Sequence, residues 1–436
     1  MSVTVVIGAQ WGDEAKGKIV DLLSQEADIV GRFNGGDNAG HTVVNQYGTF
    51  KLRLTPNGFS NPRTICVIGP GVVVNLATLI AEIETIRQAG ISLDGRLWVS
   101  PRCHVVMPYH PLVEGIYERA KGAASTGTTG RGMGPVYADK VSYNGIRLAD
   151  LADEAALAEK LSVQLKVKNA LFKLFNIDEL DLQNIIQEKR AQFAQIKEMV
   201  REPFGLVQEA LRKDARIILE AAQGSLLDND WGTYPFCTAS TTIAGGAAGG
   251  LGIAPRWVGR VIGVAKAYTT RVGAGPFPTE LLDQDGEALR QAGAEFGTVT
   301  GRPRRCGWFD AELVRFTAQL SGMTEVALTK LDVLDGMPKI KIGVGYCPKG
   351  HCKSDLPGSE VRLAHYWEGD ARWLEAQEPE YIEVDGWMES TKDVRAFEQL
   401  PKLAQAYVRK VEQLIETPVG MVSTGPEREA IIPVPR

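Results

Sequence analysis

The first twenty-one residues constrain this chain more than any other stretch. Val3 to Ile7 is a short, largely β-branched run that breaks at Gly8 into a glycine-bearing loop, and an apolar-periodic segment starts near Lys16. In order, these read as a buried strand, a tight loop and a helix N-terminus. Such a unit is an anion cradle: backbone N–H groups and the helix dipole converge on a phosphate, and a lysine adds a full charge. Gly12, Asp13, Glu14, Ala15, Lys16, Gly17 and Lys18 match the spacing G-x-x-x-x-G-K of a nucleotide-binding loop. Ile19 follows, where such loops carry the Ser or Thr that holds Mg²⁺. Asp13 and Glu14 place carboxylates where a phosphate would crowd them, so they need a reason to be there, such as holding a metal or taking a proton.

Strand-like runs recur at 3–8, 28–33, 64–69, 97–99, 104–107, 216–220, 260–264 and 325–329, with helical patterns at 16–25, 75–89, 150–165, 185–213, 309–320 and 395–415. The alternation predicts an α/β fold with a large, mostly parallel central sheet flanked by helices, a P-loop-like phosphate loop and small antiparallel and helical insertions. In that architecture ligands bind beyond the carboxyl ends of the strands. Motifs at 8–18, 34–42, 221–224, 265–279 and 329–332 each follow a predicted strand, so they are expected to meet at one sheet edge. The charged helical block at about 150–213 reads as a lid or flanking subdomain, and about 337–394 as a strand-rich antiparallel appendage. With no repeat or long linker, 1–436 reads as a single domain.

A formal charge of −5 gives no electrostatic case for nucleic acid, whose binders carry basic surfaces. No stretch approaches the roughly 18 consecutive apolar residues of a membrane span. Six scattered cysteines in a chain this long read as free thiols in a reducing compartment, and the opening residues read as a strand, so no signal segment is expected. Cytoplasm is the expected location.

Several residue patterns carry chemistry. His41 closes the glycine-rich run Asn34–Gly40. A lone histidine is more often structural, but as an imidazolium it could stabilise charge on a transferring phosphoryl group. Thr329-Lys330-Leu331-Asp332 suits guanine, because a carboxylate accepts from both N1–H and N2–H₂ while the lysine stem covers the base; an isolated K-x-D is otherwise a common surface pair. Arg302, Arg304 and Arg305 crowd around Gly301, and guanidinium forks suit carboxylate and phosphate; the bland alternative is a solvated basic turn. Cys347-Pro-Lys-Gly-His-Cys352 has zinc-type ligands but no second Cys pair nearby, and reads as a hairpin turn.

Taken with Thr126–Pro135, Glu220–Gly224, Thr270–Thr279, Thr300–Trp308 and Ser423–Pro426, these motifs run in order from residue 8 to 426. Together they resemble the adenylosuccinate synthetase family. The resemblance implies a GTP-dependent ligase that joins IMP and L-aspartate into adenylosuccinate, GDP and phosphate through 6-phosphoryl-IMP, on the way to AMP. O6 of hypoxanthine becomes nucleophilic once the N1 proton is removed, which calls for a base near the ring. The family gives that role, and Mg²⁺ ligation, to Asp13; capping the helix is the simpler alternative for an aspartate there. His41 is the second catalytic residue by resemblance, and the Gly40 carbonyl completes the shell of one Mg²⁺ per subunit. GTP would take Gly12 to Lys18, Gly40, His41, Thr42, Arg304, Lys330, Leu331, Asp332, Ser423, Thr424 and Gly425. IMP would take Asp13, Lys16, Asn38, Ala39, Gly40, His41, Thr129, Gln223, Thr238 and Arg302, with Tyr143 reaching across a homodimer. Aspartate would meet Thr298, Val299, Thr300, Gly301, Arg302, Pro303 and Arg304. A GTP-dependent switch, or a synthetase for another purine monophosphate such as dGMP, are the alternatives; retention of Asp13 favours hypoxanthine.

Three positions depart from the family pattern. Ala15 stands where glycine is usual, which is tolerable unless the backbone needs positive φ. Asp37 stands at a variable site. Tyr143 replaces an arginine that reaches the IMP phosphate of the neighbouring subunit. If that cation matters, Tyr143→Arg lowers KM for IMP; an unchanged KM in steady-state assays would mean another residue, such as Arg147, already fills the role.

Overall fold

The structure is a computed structural model describing residues 3–297, 301, 303–350 and 371–435. Its architecture follows from where the apolar runs fall. The strands of the main sheet are β1 (Val3–Gly8), β2 (Ile29–Arg32), β3 (Ile65–Ile68), β4 (Leu97–Val99), β5 (Ile217–Glu220), β6 (Val258–Lys266), β7 (Glu325–Thr329), β8 (Val419–Ser423) and β9 (Ile431–Pro433). They are arranged β9-β8-β7-β6-β1-β5-β2-β3-β4, all parallel except the β8–β9 pair. The β-branched runs of β1, β5 and β2 are buried on both faces, as a parallel sheet covered by helices requires.

Period-2 alternation decides which face each residue enters. Val5 and Ile7 join one core with Val207, Leu211, Ala247, Leu251, Val314 and Val408. Val6, between them, points the other way onto Ile19 and Val20 of helix α1 (Lys16–Ser24). The helix after the phosphate loop is thereby pinned to the sheet by its own first apolar residues.

A further core lies beyond β3. Helix α2 (Leu76–Gln88) is capped by Asn75, whose side chain accepts from the Thr78 amide, and buries Leu79, Ile83 and Ile86. Helices α3 (Tyr109–Lys121) and α4 (Met133–Val141) bracket the Thr126–Pro135 motif. The helical block resolves into α5 (Glu154–Leu174), longer than the expected 150–165, and α6 (Leu182–Ile196) and Phe204–Arg212, into which the expected 185–213 is split; Pro203 occupies the N-cap position of the last one. Leu157, Leu161, Leu165 and Phe172 of α5 share a core with Cys66 and Ile68 of β3 and with α2. Lys168 of α5 also donates to Asp139 of α4 at 3.0 Å, and the opposite oxygen of that carboxylate lies 3.0 Å from His110. The block is thus packed onto the sheet edge and braces α4, the helix that begins within the Thr126–Pro135 motif.

Elsewhere the expectations meet detail. The run 104–107 yields only His104–Val105, paired with Val73–Val74 outside the main sheet. Lys339–Pro348 pairs antiparallel with Gln377–Asp385, as the strand and turn signals there predict. Cys66, Cys103, Cys237 and Cys306 are free thiols. Cys347 is disulfide-bonded, correcting the expectation of a thiol there, and Cys352 lies outside the described residues. No described helix is long and apolar enough to cross a membrane.

Leu161 is fully buried in the shared core, so Leu161→Ala costs about 2–5 kcal/mol. If the helical block and sheet form one unit, calorimetry shows a single endotherm moved to lower temperature; a second endotherm at the wild-type temperature would mean that the block unfolds separately.

Candidate active site

Six adjacent strands, β8-β7-β6-β1-β5-β2, deliver the motifs to one edge, so segments hundreds of residues apart become neighbours. In the phosphate loop, Glu14 is turned inward and fully buried. Its carboxylate accepts from the amides of Gly12 at 2.7 Å and Gln10 at 3.2 Å, and pairs with Lys16 at 2.6 Å. A Cβ on Gly8 would stand 2.5 Å from that carboxylate, and one on Gly224 would stand 2.4 Å from the Gly12 amide. Close approach, therefore, is what these two glycines provide, and it seats Gln223 against the phosphate loop.

Asp13 takes the opposite course. It sits in left-handed backbone (φ 59°), with its carboxylate partly exposed and 2.9 Å from Arg304 Nε. It does not cap α1: the capping position belongs to Ala15, which has no side-chain cap. Ala15 is itself left-handed (φ 68°), the conformation in which its methyl is strained. Lys18 turns away from the loop, donating to Ser423 Oγ at 2.7 Å and the Gly425 carbonyl at 2.5 Å. Burial pushes its ammonium down to about 8.

Three expected IMP residues form one hydrogen-bonded chain. Gln223 Nε2 donates to Asn38 Oδ1 at 3.0 Å, and Asn38 Nδ2 donates to Thr238 Oγ1 at 3.3 Å. Gln223 is left-handed (φ 57°), and its Oε1 is buried without a partner in this structure. Thr129 lies on an exposed loop whose base is gathered by Glu118, which accepts from the Gly127 amide at 3.0 Å and from Ser125 and Thr126 hydroxyls. Asp37 accepts from Asn75 and Thr78 and lies 3.5 Å from Arg131. Tyr143, just past α4, is 96% exposed.

His41 opens the strand His41–Asn45 rather than ending a loop. It is buried: Nδ1 lies 3.1 Å from Glu220 and Nε2 2.6 Å from Arg32. Burial, with Arg32 and Lys16 nearby, pushes the imidazole well below its ordinary value. A neutral ring with Nδ1–H donated to Glu220 and Nε2 accepting from Arg32 satisfies both partners. Glu220, held by the Asn57 amide and side chain, and Arg32 are register partners on neighbouring strands. Sequence reading gave neither a role, though a charged residue closing an otherwise apolar buried strand was the available signal.

At the far side, Lys330 is left-handed (φ 59°) and donates to the Gly293 carbonyl and to Glu295. Burial raises the Asp332 carboxyl above its usual value by more than the nearby Lys18 and Lys330 ammonium groups lower it. Leu331 and Thr424 are buried, and Thr42 is exposed. Gly301 and Pro303 are exposed, whereas Thr298, Val299, Thr300 and Arg302 lie outside the described residues.

A family model described as adenylosuccinate synthetase matches residues 5–432. The chain belongs to the adenylosuccinate synthetase family. It is 47% identical over 433 residues to the adenylosuccinate synthetase of Heliobacterium modesticaldum, covering 99% of each chain. With that of Thermomicrobium roseum it shares 48% over 435 residues, covering 99% of this chain and 98% of the relative. The fully ligated adenylosuccinate synthetase from Plasmodium falciparum superposes with a TM-score of 0.91 at 35% identity over the full length of both chains. A cyanophage S-2L succinoaminodeoxyadenylate synthetase bound to dGMP and dATP superposes at 0.62 with 19% identity, covering 100% of this chain and 96% of that one, which is a likeness of fold alone.

Adenylosuccinate synthetases use a metal ion, and the donor chemistry here fits a hard cation. Asp13 presents a partly exposed carboxylate, Gly40 an exposed backbone with open space where a side chain would be, and oxygen donors of this kind suit Mg²⁺. Among the described residues no cluster of three or more His, Cys, Asp or Glu offers an alternative metal site.

The strain at Ala15 is measurable. Ala15→Gly relieves a left-handed methyl worth about 1 kcal/mol, so the urea midpoint rises; an unchanged or lower midpoint would show that the backbone there is not left-handed.

Proposed function

We propose that the residues gathered at this edge carry out the family reaction, GTP + IMP + L-aspartate giving adenylosuccinate, GDP and phosphate, in the roles that follow. The chain is a GTP-dependent ligase of the adenylosuccinate synthetase family. The observation that carries the assignment of roles is the Gln223–Asn38–Thr238 chain abutting the phosphate loop at Gly12 and Gly224. It places amide and hydroxyl groups suited to a neutral purine edge next to the loop that holds Asp13.

Asp13 takes the N1 proton of IMP, and O6 attacks the γ-phosphorus of GTP as the bond to the β-bridging oxygen breaks. The amine of aspartate then attacks C6, and phosphate leaves. Gln223 and Asn38 orient the base, and Thr129 and Thr238 hold the IMP side. Lys330 and Asp332 read guanine, with Ser423 to Gly425 closing over it while Lys18 holds that segment in place. Arg304, with Arg302 and the 298–301 segment, receives aspartate. His41 is neutral in the unliganded pocket, so its role as a charged donor requires the negative charge of the γ-phosphoryl to raise its pKa. A Mg²⁺ held by Asp13 and the Gly40 carbonyl would neutralise charge on the phosphates. We further propose a homodimer, with Tyr143 facing the IMP site of the neighbouring subunit, and a cytoplasmic location.

Purified protein with GTP, Mg²⁺, IMP and aspartate forms adenylosuccinate only when all four are present. GTP hydrolysis indifferent to IMP and aspartate would favour a switch instead. In the complete assay Asp13→Asn abolishes turnover while GTP binding by calorimetry persists; near-normal turnover would remove Asp13 as the base.

A further inference from the structure

Glu295 lies outside every motif on which the reading of the site rests, yet Lys266, Tyr268, Arg304 and Lys330 all converge on its carboxylate. It follows the helix Gln284–Ala292 and is fully buried. Its carboxylate receives Lys266 Nζ from the end of β6 at 2.8 Å, Lys330 Nζ from the guanine loop at 2.6 Å and an Arg304 nitrogen at 2.7 Å. The Tyr268 hydroxyl donates to the same group. The backbone adds to this: the Arg304 amide donates to the Glu295 carbonyl at 2.9 Å, and Lys330 Nζ to the Gly293 carbonyl at 2.7 Å. Residues 293–295 therefore hold each of the two cations by two bonds.

One cation would neutralise a buried carboxylate, and Lys266, itself fully buried, is enough for that. The other two come from different segments, and in the assigned sites Lys330 serves guanine while Arg304 serves aspartate as well as GTP. Lysine and arginine lose much rotamer freedom when fixed. A shared anchor settles that cost before either ligand arrives, which is preorganisation. We propose that Glu295 is a positioning residue that sets Lys330 for guanine and Arg304 for aspartate at once, an inference resting on the assignment of those two sites above. Arg304 extends the link to Asp13, 2.9 Å from its Nε.

The competing account is that Glu295 only neutralises Lys266, so the test separates the two. Glu295→Gln alone leaves a buried ammonium unpaired and lowers Tm. Glu295→Gln combined with Lys266→Met removes both charges and recovers much of that loss. On the positioning account the double variant still shows KM raised about tenfold for both GTP and aspartate, the scale of one charge-assisted hydrogen bond, while KM for IMP stays within about twofold. Lys266→Met alone keeps wild-type KM values. Should the double variant not fold, Glu295→Asp keeps the charge beside Lys266 but withdraws the carboxylate by one methylene, and the same two constants rise. Normal KM values for GTP and aspartate, or an equal rise for IMP, overturns the proposal. Wild-type protein supplies the control on the underlying reading. If its turnover ignores aspartate, the site assignment fails; if it needs all substrates and the variants keep its constants, Glu295 alone is refuted.

Discussion

The buried carboxylate of Glu14 is the interaction on which the rest of the site depends. An anion cradle of converging amides is unstable when empty, because its N–H groups lack partners. Here Glu14 supplies a resident anion from within the loop, accepting from Gln10 and Gly12 and neutralised by Lys16. The loop is held in shape without ligand, and Asp13, one residue earlier, is driven outward in left-handed backbone towards Arg304. Gly8 and Gly224 are small because that carboxylate and the loop backbone fill the space beside them. The sequence puzzle of two adjacent acids in a phosphate loop thus has a division of labour: one acid builds the loop, and the other is turned outward, where the proposed function gives it the ligands.

Left-handed backbone concentrates at this edge. Asp13, Ala15, Gln223 and Lys330 are four of the nine described non-glycine residues with positive φ, and each belongs to a motif assigned to the site. Such conformations cost energy and persist where surrounding contacts over-determine them. Those contacts are visible: Lys330 is tied to Gly293 and Glu295, Gln223 to Asn38, and the phosphate loop to Glu14.

Much of the fold was legible because β-branched runs and glycine breaks are local signals. β1 falls at residues 3–8 as predicted, and the parallel sheet follows from the alternation of strands and helices. The five motifs expected at one edge lie beyond five adjacent strands, although strand order itself has no local signal. The hairpin that begins at His41 was missed because the glycine run before it masks the strand. Helix α4 went unread because glycine and proline interrupt its first turn. Arg32, Glu220 and Glu295 escaped because a buried charge is recognisable only through its partners, and most of theirs come from other segments of the chain. The turn of Lys18 towards Ser423 is likewise a tertiary fact that loop spacing cannot encode.

Strand order in the sheet also sets a distance. The guanine-directed loop leaves β7, the phosphate loop leaves β1, and Gln223 and Asn38 follow β5 and β2. Neighbouring strands are about 4.8 Å apart, so β7 and β5, three intervals apart in the order β7-β6-β1-β5, are separated by roughly 14 Å. On the proposed assignment the two nucleotides lie end to end across the strands, with the phosphate loop between their bases. The sheet then acts as a ruler whose graduations are strands. Inserting or removing a strand between β7 and β5 would alter the reach required of the phosphoryl donor, whereas additions beyond β9 or β4 would leave that length untouched.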